Sequence, residues 1–65
     1  MPMTAKQMVR LLKKNGFVTV GQKGSHLKMR NKSIGATVIV PMHPGEMNKW
    51  IEAGIIHDAG IERQE

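Results

Sequence analysis

The segment His26-Leu27-Lys28-Met29-Arg30 alternates polar and apolar residues without a break. A β-strand repeats every two residues, so His26, Lys28 and Arg30 share one face while Leu27 and Met29 share the other. Such a strand fits a sheet with one face buried and one face open. In a chain of 65 residues, the flanking segments must supply the cover for that single apolar face.

Those flanks read as helices and further strands. Thr4-Ala5-Lys6-Gln7 fits a capping box, with Met3 and Met8 at the positions of a hydrophobic staple. Met8, Leu11 and Leu12 recur at helical spacing, with Val9 beside them and Lys6, Arg10, Lys13 and Lys14 on the polar side. Asn15-Gly16 is a strong stop, which predicts a helix over about residues 4–15. Phe17-Val18-Thr19-Val20 reads as a strand ended by Gly21. Asn31-Lys32-Ser33-Ile34-Gly35 reads as a turn, and Ala36-Thr37-Val38-Ile39-Val40 as a strand stopped by Pro41. From Glu46 the pattern is helical again, with Met47, Ile51, Ile55 and Ala59 at steps of four and Trp50 and Ile56 alongside. Gly54 weakens this helix by about 1 kcal/mol relative to Ala, so irregular first turns are expected. Gly60 is the expected C-cap with Ile61 as its apolar contact, and the tail from Glu62 to Glu65 is expected to fray. The order α-β-β-β-α, with three short strands and tight connections, predicts an α+β fold over residues 1–65 as one domain. Its three-stranded antiparallel sheet carries both helices on one face, as in double-stranded-RNA-binding domains.

Charge narrows the partner. The formal net charge is +5, and the first 45 residues hold every Lys and Arg except Lys49 and Arg63 and no Asp or Glu. A positive field concentrated in this way favours a polyanionic partner. The chain has no cysteine, hence no disulfide and no thiolate metal site. No apolar run approaches the ~20 residues of a membrane helix, so a soluble cytoplasmic protein is expected.

Of the three histidines, only His26 lies in a dense basic segment, with Lys23, Lys28, Arg30 and Lys32 within six residues of it. Gly21 and Gly24 allow close approach of a ligand, and Gly24 and Ser25 can present backbone N–H groups to a phosphate. An imidazole with an unperturbed pKa of ~6.5 can donate or accept a proton near neutrality. On the residues alone, a solvated side chain or a phosphate contact is the simpler reading of His26, and a catalyst for RNA cleavage is the sharper one. His26, His43 and His57 have no metal-ligand spacing, so no metal and no cofactor are expected. His43 is expected to organise the strand-to-helix loop, and His57 to sit in the last helical turn, where positive charge suits the helix dipole. Trp50 is expected in the core, since two large aromatics are too few for a single-strand stacking surface.

Three stretches carry a family resemblance: Met8–Met29, "MVRLLKKNGFVTVGQKGSHLKM"; Thr37–Met47, "TVIVPMHPGEM"; and Ile55–Gly60, "IIHDAG". Together they resemble the HicA toxins, small ribonucleases of bacterial type II toxin–antitoxin systems. The resemblance implies the fold expected above and a single catalytic histidine in the Gly-Ser-His motif, here His26. It also implies an mRNA-interferase activity and a HicB-type antitoxin that covers the active face in a toxin–antitoxin hetero-oligomer. With that activity, His26 is the expected general acid/base. Lys23 and Lys28 stabilise the scissile phosphate, Gly24 and Ser25 orient it, and Arg10, Lys14 and Arg30 track the RNA backbone. Many members carry a Gly-Thr-Leu-Arg run entering the last helix and Lys-Gln before its Ala-Gly. This chain has Trp50-Ile51-Glu52-Ala53 and His57-Asp58 there, which removes positive charge from that helix. The rival expectations are a non-catalytic RNA-binding module and a domain that only binds an acidic protein.

Overall fold

The computed structural model describes residues 3–61, and the tail from Glu62 onward lies outside the described residues. The element order is α1 (Ala5–Lys14), β1 (Val18–Lys23), β2 (His26–Asn31), β3 (Ala36–Pro41) and α2 (Lys49–Asp58). The strands form one antiparallel sheet in the order β1-β2-β3. The expected α+β architecture is therefore the observed one.

Local chemistry sets the ends of α1. The Thr4 hydroxyl accepts from the Gln7 N–H at 3.2 Å, and the Gln7 side chain accepts from the Thr4 N–H at 2.9 Å, which completes the capping box. At the other end the Gly16 N–H donates to Lys13 and the Phe17 N–H to Leu12, with Gly16 at φ +91°. This is a Schellman motif, and its apolar contact is the buried pair Phe17 and Leu12. Helix α2 ends the same way: the Gly60 N–H donates to His57 and the Ile61 N–H to Ile56.

The alternation in β2 is realised in full. Leu27 and Met29 are buried, His26, Lys28 and Arg30 are exposed, and Val38 and Val40 extend the apolar face across β3. Met8 and Leu12 from α1, Phe17, Met47, and Ile55, Ile56 and Ala59 from the α2 region close over that face. Both helices pack against β3, so the opposite sheet face is left open.

The fold corrects three expectations. Strand β1 does not stop at Gly21 but runs to Lys23, with an irregularity between Thr19 and Gly21. Helix α2 begins at Lys49 rather than Glu46. Residues 46–47 are instead held in extended pairing with the N-terminal segment: Thr4 bridges Glu46, and the Met47 N–H donates to the Met3 carbonyl at 2.9 Å. Trp50 is not in the core but 76% exposed, and Ile51 is 46% exposed. Their expected inward place is taken by Glu52, which is 3% exposed and accepts from the Met3 N–H at 2.6 Å.

Candidate active site

The register of the sheet builds the site. Lys23 pairs with His26, which pairs with Pro41; Gly21 pairs with Lys28, which pairs with Ile39; Val18 pairs with Arg30, which pairs with Thr37. These three rungs make up the open face. Directly opposed side chains lie about 4.5–5.5 Å apart at Cβ, so the Lys23 stem stands beside the imidazole. Lys28 is one step further on the same side of β2, about 7 Å along the strand.

The rung that matters most depends on a bulge. Between Thr19 and Gly21 strand β1 carries an extra residue, Val20, against the single step from Met29 to Lys28. Regular pairing onward from Thr19 would set Gln22 opposite His26. The bulge shifts the pairing by one, and a shift of one exchanges the two faces of a strand. Lys23, rather than Gln22, is therefore the residue directly opposite His26. The sequence names Lys23 as a phosphate contact from proximity alone; the bulge supplies the geometry, and Gly21 inside a β pattern is its one sequence signal.

The turn that presents His26 is short and held on both sides. Gly24 and Ser25 form a two-residue connection, and only Gly24 has positive φ, at +58°. That is the type II′ pattern, which requires glycine at the first central position. The Gln22 side chain donates to the Gly24 carbonyl at 3.0 Å, and the Met42 N–H donates to the Ser25 carbonyl at 2.6 Å. Among the described residues no acceptor meets the N–H of Gly24 or Ser25. His26 is exposed, and with Lys23, Lys28, Gly21, Gln22 and Ile39 it lines a shallow concavity of about 410 Å³.

The remaining cations divide into two groups. Arg10 lines a second concavity with Lys6, Lys13 and Met42, and Met42 is the residue bonded to Ser25. The polar side of α1 thus leads over the edge of β3 toward the Gly-Ser-His turn. Lys6 and Lys13 belong to this path, although helical periodicity alone shows them only as part of a polar helix face. Lys14 lines a further concavity with Arg10, Lys13 and Gln7, and Arg30 stands at the far end of β2. Arg30 is about 13 Å along β2 from His26. Lys14 is in the last turn of α1, where Asn15 accepts from the buried Asn31 side chain at 3.0 Å.

The other histidines stand apart from this arrangement. His43 is exposed and makes no side-chain hydrogen bond among the described residues, so the loop is held by the Thr4–Glu46 and Met3–Met47 pairings instead. His57 falls in the last turn of α2 as expected, with Nδ1 at 3.4 Å from Asp58 Oδ1 in an exposed pair. No group of three His, Cys, Asp or Glu side chains among the described residues is placed to hold a metal ion.

The structure is thus a small helix-covered antiparallel sheet whose open face carries His26, Lys28 and Arg30. A family model described as the HicA toxin of bacterial toxin–antitoxin systems matches residues 5–61. The chain belongs to the HicA toxin family and is the toxin component of a toxin–antitoxin pair, which implies an antitoxin as partner. No curated protein matches the sequence. No helix among the described residues is long and apolar enough to cross a membrane.

Proposed function

We propose that this toxin is an endoribonuclease that cuts mRNA without a metal ion, with His26 as its general acid/base. The observation that carries the reading is the rung Lys23–His26, next to Lys28, on a face open to a polymer. In such a reaction the ribose 2′-hydroxyl attacks the adjacent phosphorus, and the P–O5′ bond breaks. One group removes the 2′ proton and another protonates the departing 5′-oxygen; His26 fills one role and water or the substrate the other. A positioned acid/base contributes about 10²–10⁴ in rate. Lys23 and Lys28 neutralise the charge that builds on the phosphorane oxygens, and the N–H groups of Gly24 and Ser25 orient the phosphate. Arg10, with Lys6 and Lys13, holds the flanking backbone, while Lys14 and Arg30 engage more distant phosphates.

The same face suits a HicB-type antitoxin. Val18 and Ile39 are 55% and 47% exposed among the lysines, so an acidic protein with an apolar contact would bury both and mask His26. The test is cleavage of labelled RNA by purified protein in EDTA, comparing the native chain with His26→Ala. Loss of cleavage with RNA binding retained supports the reading. If His26→Ala still cuts RNA and arrests growth, the assignment fails. If the native chain binds RNA and never cuts it, the protein is a binding module.

A further inference from the structure

Trp50 is the only tryptophan in the chain and is 76% exposed. Its backbone is tied into the start of α2. The Trp50 N–H donates to the Asn48 side chain at 2.7 Å, and the Glu52 N–H donates to the Asn48 carbonyl at 2.9 Å. Glu52, Ile55, Ile56 and Ala59 form the buried side of α2, which sets Trp50 on the outer pole of the helix, away from the core. The Lys49 ammonium lies 5.7 Å from the indole centroid. A solvent-facing indole beside a cation offers what an unpaired nucleobase needs: a flat π-surface and a charge for its phosphate.

The topology puts this pair at the His26 end of the molecule. Strand β3 ends at Pro41, opposite His26, and the segment that follows leads directly to Lys49. The start of α1 is held there too, through the Thr4–Glu46 bridge, and Lys6 and His43 line a cleft with Thr4 and Met42, the residue bonded to Ser25. Lys6 and His43 therefore lie on the segment of surface that follows the Gly-Ser-His turn toward the start of α2. Glu46 is the one exposed carboxylate of that segment, and Glu52 is buried against Met3.

We propose that Trp50 and Lys49 form a nucleotide subsite in which an unpaired base of the RNA stacks on the indole and its phosphate meets Lys49. This rests on the ribonuclease reading and deepens it: the site selects single-stranded over duplex RNA, because a paired base has no free face to offer. Stacking on one aromatic ring is worth about 5- to 150-fold in affinity.

The chain's single tryptophan makes the experiment direct. His26→Ala protein, which holds its substrate, is titrated with a short single-stranded oligoribonucleotide and with the corresponding duplex. Binding is followed by anisotropy of a label on the RNA and, separately, by Trp50 emission. The expected result is quenching by the single strand. Trp50→Leu binds it about 5- to 150-fold more weakly with an unchanged salt slope, and Trp50→Phe retains most of the affinity. Circular dichroism checks that these surface variants fold. Binding without quenching, at an affinity insensitive to Trp50→Leu, overturns the subsite and leaves the ribonuclease reading intact. No binding of any RNA overturns both. Intact RNA binding by Trp50→Leu together with lost antitoxin binding assigns the ring to a protein interface and also overturns the subsite.

Discussion

Replacing Gly16 by alanine tests how α1 is ended and tied to the sheet. Gly16 has φ +91°, a left-handed conformation that costs an L-residue about 1–2 kcal/mol. A Cβ at this position would stand 3.1 Å from the Asn31 amide nitrogen. That nitrogen donates to the Asn15 carbonyl at 3.0 Å, and the Asn31 side-chain oxygen accepts from the Ser33 N–H at 3.0 Å. The new methyl group must displace a buried amide that joins the end of α1 to the β2–β3 turn. Losing one such hydrogen bond adds about 0.5–1.5 kcal/mol. The expected total is about 1.5–3.5 kcal/mol. A domain of this length has only about 3–10 kcal/mol to lose. Urea and thermal unfolding followed by far-ultraviolet circular dichroism should show Tm falling by about 6–28 °C. A double-mutant cycle with Asn31→Ala isolates the contact. Once Asn31 is truncated, Gly16→Ala should cost only its backbone term, leaving a coupling of about 0.5–1.5 kcal/mol. A total loss below about 0.5 kcal/mol, or strict additivity of the two changes, would refute the reasoning.

Three further outcomes concern the site and the packing of α2. Lys23→Gln and Lys28→Gln should each lower cleavage and each reduce the slope of log affinity against log salt by about one, read from RNA binding across a salt series. Lys14→Gln, far from the turn, should alter binding and leave the cleavage step of the bound RNA unchanged in single-turnover assays. Glu52→Ala should destabilise the fold by about 1–3 kcal/mol, because it strips the Met3 N–H of its acceptor, while Glu52→Gln keeps an oxygen there and should lose less in the same urea assay.

Features written in local chemistry were legible from the sequence. Thr4 with Gln7, Gly16 with Phe17, and the alternation from His26 to Arg30 each fix a structure within a few residues, and each appears as expected. Features that depend on distant partners were not. The steps of four from Met47 to Ala59 look helical, but each such step advances about 40° past a full turn, so the row drifts off one face. The buried set is Glu52, Ile55, Ile56 and Ala59, which follows the spacing of three and four that holds a face. Glu52 enters it with its carboxylate accepting from the Met3 N–H, and no local pattern announces that bond. Composition alone argues for Trp50 inside, yet the start of α2 is set by pairing to residues 3–4, and the ring faces outward. Within the candidate site, His26, Lys28 and Arg30 share a face by alternation alone. Placing Lys23 with them needed the register of β1.

The bulge in β1 has a second consequence, for how the protein behaves in concentrated solution. β1 is an edge of the sheet, all six of its residues are exposed, and Val18 and Val20 are apolar. A flat edge of that composition is a template for another chain to add as a fourth strand. The extra residue at Val20 breaks the even spacing of the free N–H and C=O groups and increases the local twist, so an incoming strand finds no continuous ladder. Lys23 adds charge at one end of the same edge. The irregularity that sets a cation beside the imidazole thus also guards the protein against stacking edge to edge with its own copies.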